Sequence, residues 1–335
     1  MLTYTLRRLI LSIPTLIFIA LVIFLLLELA PGDPMAQLPL TIPAEVKEQM
    51  REALGLGEAA QIRFGKWLWQ FGVVEPMVWW DALFGTGLTA DTQRVISWQT
   101  RSPVMDIVLQ RLPQTLWVVG MAYVVGVLIA LPIGIYSAYR QYSTFDQVGT
   151  FVTMVGYSVP PFFSGVLVIV IFSVQLGWLP SIYDTTHRVV DWASFTIQIK
   201  QMVMPVMVLA LQTTAQISRY MRAAMLDNLG QDYVRTARAK GLRETAVVLV
   251  HVLRNSMIPV VSVIALGLPQ IFGGAIITET IFGVNGLGQL LITAIQANDL
   301  PMVQTVTFML AVLIVLCNIL ADVLYGLLDP RIRYE

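Results

Sequence analysis

The chain has 335 residues, 56% of them hydrophobic and only 13% charged, with 21 basic residues balanced by 21 acidic ones. Soluble domains carry about 25% charged residues, so this composition, with a mean hydropathy of +0.72, excludes an ordinary cytosolic enzyme and a disordered chain. Zero net charge leaves no electrostatic footprint for nucleic acid, and the lone cysteine, Cys317, excludes an internal disulfide or a multi-cysteine metal site.

About 20 apolar helical residues cross a hydrocarbon core roughly 30 Å thick. Charge-free windows lie at 9–27, 112–139, 147–183, 201–218, 255–278 and 300–321. None alternates as barrel strands do, so the expectation is an all-α integral membrane protein with six transmembrane helices. The first window, behind Arg7 and Arg8, is longer than the apolar run of a signal peptide. It ends in Glu28-Leu29-Ala30-Pro31 rather than a small-residue cleavage site, and it reads as a retained helix.

Segment 43–54 then reads as a short helix, with Pro43 in its first turn, a stripe of Val46, Met50 and Leu54, and Gly55 as its stop. Segment 61–71 continues with Ile62, Phe64, Trp67, Leu68 and Phe71, and Trp67, Trp69, Trp79 and Trp80 read as interfacial anchors. Basic residues set the orientation. With the N-terminus inside, twelve fall in cytoplasmic segments, seven of them in loop 219–254, against Arg188 and Lys200 in outer loops 184–200 and 279–299. Both termini are therefore expected in the cytoplasm and segment 30–111 outside.

No G-x-x-x-x-G-K-[ST] phosphate loop and no H-E-x-x-H pair is present, so the chain has no motif of its own for nucleotide or metal. His187 and His251 fall on opposite sides of the membrane in this topology, too far apart for a shared metal or a nucleophile–base pair. Gly283-x-x-Gly286-x-Gly288 follows a membrane helix rather than a strand and reads as a turn. Catalytic residues are not expected.

The informative stretch is 232–259, DYVRTARAKGLRETAVVLVHVLRNSMIP. Asp232 reads as the cap of a short helix carrying Arg235, Arg238 and Lys240. Gly241 supplies a left-handed turn, and a second helix runs from about Glu244 into Arg254. A loop that only fixes topology needs the charges but not a glycine between two helices, so a docking element is the favoured reading.

This loop resembles the signature of binding-protein-dependent ABC importer permeases: E-A-A, three residues, G, nine residues, I-x-L-P. Ala237, Gly241 and Leu253 match its general form. The fuller Tyr233-Val-Arg235-Thr236-Ala237-Arg238-Ala-Lys240-Gly241-Leu242, followed by His251-x-Leu253-Arg254-Asn255 and Pro259, resembles the variant of the dipeptide, oligopeptide and nickel permeases. Arg7-Arg8-Leu9 and Pro31-Gly32-Asp33-Pro34 are similar to that branch's N-terminal pattern. Thr278-Glu279-Thr280-Ile281-Phe282 with Gly286-Leu287-Gly288 resembles its loop after helix five, and Asp322-x-x-Tyr325 with Asp329-Pro330-Arg331-Ile332-Arg333 resembles its ending.

The resemblance implies a type I ABC importer permease fold in the bacterial inner membrane. It divides the chain into a first helix plus extracytoplasmic segment (1–111), a five-helix transmembrane core (112–328) with a coupling loop (219–254), and a cytoplasmic tail (329–335). It implies a second homologous permease subunit in a heterodimer, two ATPase subunits that use ATP and magnesium, and an extracytoplasmic solute-binding protein. The chain itself binds no cofactor and is not an enzyme. The loop around Gly241 becomes the coupling helix, seated in a groove of an ATPase subunit. Solute is expected to be di- or oligopeptide, with nickel chelates or oligosaccharides as the alternative; a stand-alone channel or secondary transporter is the rival class.

Pathway candidates are breaks and charges at membrane depth. Tyr157, Pro160 and Pro161 interrupt the third window, Pro269, Gly273 and Gly274 the fifth, and Asp322 sits in the last with Asn318 on its face. A packing kink and a neighbouring ion pair are the structural alternatives.

Overall fold

The computed structural model describes residues 2–29, 57–89 and 92–328. The expected helix at 43–54, the 31–34 motif and the tail 329–335 lie outside the described residues. Among those described, helix follows helix and the only paired extended backbone is a single bridge between Ile96 and Pro103.

Five helices are long and apolar enough to cross a membrane: α1 (Leu2–Glu28), α4 (Val104–Tyr139), α7 (Trp192–Leu229), α9 (Glu244–Gly267) and α12 (Leu300–Leu328). Between them lie α2 (Ala60–Trp69), which runs through a π-helical turn into α3 (Glu75–Phe84), then α5 (Thr144–Ser158), α6 (Pro161–Gln175), α8 (Asp232–Ala239), α10 (Ile271–Phe282) and α11 (Leu287–Gln296). Window 147–183 is thus not one straight span: α5 and α6 meet at 108°. The cause is the proline pair. A residue before proline is pushed out of the helical region, and Val159 and Pro160 are extended at ψ 123° and 143°, while Pro161 starts the next helix. A second bend of 79° separates α10 from α11.

The chain forms two compact units. Unit one gathers the described residues of 1–10, 113–289 and 313–335, and unit two those of 11–112 and 290–312.

In unit one, α4 and α7 approach so closely that a Cβ on Gly134 would lie 2.6 Å from Met221 Cβ and 2.7 Å from the Ser218 carbonyl. Gly126 is similarly crowded by Thr213, and the Thr214 hydroxyl donates to its carbonyl at 3.1 Å. Small residues at a helix crossing allow this approach where lipid supplies no hydrophobic drive. The α10–α11 turn is built on the buried Glu279 carboxylate, which accepts from the Thr115 hydroxyl (2.7 Å) and from the amides of Gly288 (2.7 Å) and Gln289 (3.3 Å). A Cβ on Gly286 would stand 2.4 Å from that carboxylate, and one on Gly288 2.4 Å from the Ile276 Cα. The glycine pattern is a turn, as expected, and the close approach is its reason.

In unit two, Trp67 is only 6% exposed and packs edge-on against Phe71 and Phe308, each 5.1 Å away between ring centroids. It is a core residue, not the interfacial anchor expected; Trp69, Trp79 and Trp80 remain exposed. The Arg94 guanidinium bridges Glu75 (2.8 Å) and Asp106 (2.7 Å). Burial opposes its charge, but the hydrogen bonds to the two carboxylates outweigh that and raise its pKa. The Asp299 carboxylate accepts from the Ser97 hydroxyl and from the amides of Trp98 (3.1 Å) and Gln99 (3.3 Å), fixing a turn in which Arg101 takes φ +59°.

Candidate functional site

Loop 219–254 lies in unit one. α7 ends at Leu229, and Gln231, not Asp232, precedes α8; the Gln231 side chain makes no cap bond. Its carbonyl accepts the Val234 amide (3.1 Å), and Asp232 occupies the first turn, where a negative charge suits the positive end of the helix dipole. The expectation that Asp232 caps the helix is off by one position. An Asp in the first turn and an Asp at the cap share the same preference in sequence, so backbone geometry alone separates them.

The stop of α8 follows the expectation. Gly241 has φ +76° with open space where its Cβ would be. The Gly241 amide donates to the Arg238 carbonyl (2.9 Å) and the Leu242 amide to the Ala237 carbonyl (3.4 Å), the two crossed bonds of a Schellman stop. The Arg238 guanidinium spans the turn to reach Glu244 at 2.7 Å, and that hydrogen bond raises the Arg238 pKa. Two helices thus meet at one left-handed residue under an ionic strap.

Below the strap the loop is anchored by burial. Val234 and Ala237, three positions apart on one face of α8, enter a core with Val247, Val248 and Val252 of α9 and Met221 and Met225 of α7. The opposite face is exposed: Tyr233, Arg235, Thr236, Arg238, Lys240, Gly241 and Leu242, continued by His251, Arg254 and Asn255, with Leu253 half-buried. Tyr233 is braced by its hydroxyl bond to Asn228 Oδ1 (2.8 Å), and the Thr236 hydroxyl returns to the Asp232 carbonyl (2.9 Å). Residues 247–252 wind as a π-helix, a wider turn common at functional sites. The apolar residues Leu249 and Val250 on it are exposed, a feature sequence reasoning passed over.

The pathway candidates do not form one cluster. Pro160 and Pro161 shape the α5–α6 bend. Pro269 is buried in the turn between α9 and α10, where its missing amide interrupts the ladder, and Gly273 and Gly274 follow in α10. The Asp322 carboxylate pairs with Arg8 at 3.1 Å, the neighbouring-helix alternative. Tyr157 is the informative member. It lines a cavity of about 370 Å³ with Gln212, Thr213, Gln216 and Gln270. The Arg219 guanidinium lies 4.6 Å from the Tyr157 ring centroid. The signal for the glutamines was available: Gln212 and Gln216 stand one turn apart in a window scored only for charge. Among the described residues, no group of His, Cys, Asp and Glu could hold a metal.

A family model described as binding-protein-dependent transport system inner membrane component matches residues 130–334, and a companion model for the N-terminal part matches residues 1–119. The oligopeptide transport system permease protein AppB of Bacillus subtilis is 36% identical over 339 residues, covering 100% of both chains. The glutathione transport system permease protein GsiC of Salmonella typhi is 34% identical over 336 residues, again covering 100% of both. Among solved structures, a chain of the MetNI methionine ABC transporter superposes with a TM-score of 0.55 at 19% identity, over 68% of this chain and 99% of that one.

Proposed function

The chain belongs to the family of binding-protein-dependent transport system inner membrane components, as a permease subunit of an ABC importer, and from that premise we propose that it carries peptides and couples through the loop at Gly241. It is a multi-pass protein of the inner membrane with the type I permease fold, and its importer includes an ATPase and a solute-binding protein. Peptide cargo is supported by two relatives aligned end to end, one named for oligopeptides and one for glutathione.

The rest of the proposal concerns mechanism. Two permease subunits of this kind, related but not identical, enclose the pathway, and two ATPase subunits beneath them hydrolyse ATP with magnesium. Both termini and loop 219–254 face the cytoplasm. The exposed face of α8, from Tyr233 to Leu242, together with His251, Leu253, Arg254 and Asn255, seats in an ATPase groove. Closure of the ATPases on nucleotide displaces α8, and its buried Val234 and Ala237 carry the displacement into α7 and α9. Solute passes against Tyr157 and the neighbouring glutamines. Pro160, Pro161, Pro269, Gly273, Gly274 and Asp322 shape the helices around that route.

The observation that carries this reading is the combination of an exposed basic face with a stiff, left-handed, strapped turn, which presents α8 in one orientation. The test is co-purification and transport. The chain should pull down an ATPase subunit, and vesicles holding the assembly should take up a labelled dipeptide only when ATP is supplied on the loop side. Uptake by the chain alone, without an ATPase, would return the rival class of stand-alone transporters.

A further inference from the structure

Three amide side chains line the cavity of about 370 Å³ beside Tyr157: Gln212, Gln216 and Gln270. Gln212 and Gln216 are half-buried and Gln270 is exposed, so a molecule entering the cavity can reach all three. Among the described residues, none of these side chains finds a hydrogen-bond partner. No carboxylate, lysine or histidine lines the cavity. Amides left unpaired on membrane helices are costly unless water or a solute meets them. Pockets of this size hold small molecules.

One cation stands at the rim. Arg219 continues the stripe of Gln212 and Gln216, at steps of four and three residues along one face of α7. Its exposed guanidinium lies over the Tyr157 ring at 4.6 Å, and its Nε donates to the Ala215 carbonyl at 3.2 Å. Those two contacts orient the fork and leave both Nη groups without a partner among the described residues. Asp146, which α5 brings to α7, does not neutralise it: that carboxylate is taken by Arg222 through two bonds of 2.6 and 2.7 Å. A guanidinium with its fork free is a bidentate match for a carboxylate.

We propose that this cavity holds a short peptide by its main chain, with the C-terminal carboxylate on Arg219 and the peptide units on Gln212, Gln216 and Gln270. A primary amide offers a donor and an acceptor, the same pair that a peptide unit presents, and so reads no side chain. The lengths agree. From Gln212 to Arg219 the helix rises roughly 10 Å, and an extended tripeptide spans about the same distance. A neutral saccharide satisfies the amides but leaves Arg219 unmet. The inference rests on the proposed route past Tyr157 and adds a polarity to it: the free C-terminus is required and points toward the coupling-loop end of α7.

The test uses the full chain purified with its partner permease and ATPase subunits, without the binding protein, so that only the membrane cavity selects. Equilibrium dialysis follows labelled trialanine, with trialanine amide, N-acetyltrialanine and maltotriose as competitors. Trialanine should bind saturably and its N-acetyl derivative equally well. The C-terminal amide should be about tenfold weaker or more, the loss expected for a charge-assisted pair. Maltotriose should not compete. Arg219→Gln should bind the acid and the amide alike, whereas Arg219→Lys should keep much of the preference. A residue that only supports the fold would not distinguish acid from amide. No binding of trialanine, equal binding of acid and amide by the unaltered assembly, competition by maltotriose, or an acid preference unchanged in Arg219→Gln would overturn the inference. Should that variant fail to assemble, the acid-to-amide ratio of the unaltered assembly decides. Trialanine uptake by vesicles holding the whole importer separates this inference from the route beneath it. Uptake that falls in Gln212→Leu and Gln216→Leu at matched abundance, with acid and amide bound alike, keeps the route and rejects the carboxylate site. Uptake unchanged in both variants rejects the route and the inference together.

Discussion

Glycine does three different jobs in this chain, and side-chain substitutions should tell them apart. At Gly241 the requirement is conformational. Open space surrounds its Cβ position, so Gly241→Val meets no clash, but φ +76° costs a β-branched residue about 1–2 kcal/mol and re-aims α9. The packed membrane helices tolerate that, whereas a docked helix does not. Peptide uptake at matched abundance should fall at least tenfold with little loss of protein, and full uptake would remove α8 from coupling. At Gly286 and Gly288 the requirement is space, because Glu279 and the Ile276 backbone occupy it. Overpacking of this kind costs about 1–3 kcal/mol, so Gly286→Ala and Gly288→Ala should each lower the unfolding temperature in detergent. Gly120, inside α4 with nothing within 4 Å, has neither requirement. Gly120→Ala should leave that temperature unchanged or raise it, since alanine gains roughly 0.5–1 kcal/mol over glycine in a helix. The three cases look alike in sequence. Gly286 and Gly288 announced a turn but not the close approach that requires them, whereas Gly241, placed between two helical patterns and flanked by basic residues, announced its conformational role in advance.

At the level of elements, the spans were legible because apolar length is a property of a window, while bends and burial depend on partners. The 108° turn at Pro160–Pro161 has a local cause and was visible as a break. Burial of Trp67 was not, because the ring it packs on, Phe308, comes from the far end of the chain. Counting charges alone also hid the glutamine face of α7 around Tyr157. The start of α7 was legible but unread: Asp191 and Ser194 form a reciprocal capping box, the Ser194 amide donating to Asp191 at 2.7 Å. The side-chain hydrogen bond from Ser194 holds the Asp191 pKa below its ordinary value. A depressed carboxylate contributes stability that is full above its unfolded pKa and is lost as pH falls through the folded one. Amide exchange in the first turn of α7 should therefore quicken, relative to the rest of the helix, as pH drops below about 3.8. Asp191→Asn, which caps without titrating, should abolish that extra acceleration. An identical pH response in the variant would assign it to another group.

For the whole molecule, the distribution of basic residues predicts the orientation on which coupling depends. Twelve against two in the short loops calls for both termini inside and the 30–111 segment outside. A phosphatase reporter fused near Gly57 should be active and one fused after Arg333 inactive; the reverse pattern would place loop 219–254 away from any ATPase.

The interleaving of the two units carries a consequence for heredity. Unit two is not a block at the front of the gene: it needs residues 290–312 as well as 11–112, with Ser97 and the turn after it held by Asp299 and Trp67 capped by Phe308. A recombination event that imports only the first third of a related gene therefore splits a packing unit, and its two parts must be inherited together to stay matched. A chimera carrying residues 1–112 of the Bacillus subtilis relative should accumulate poorly, and replacing 290–312 from the same donor should restore it. The N-terminal third and the stretch 290–312 are therefore expected to vary together, as one locus in two pieces.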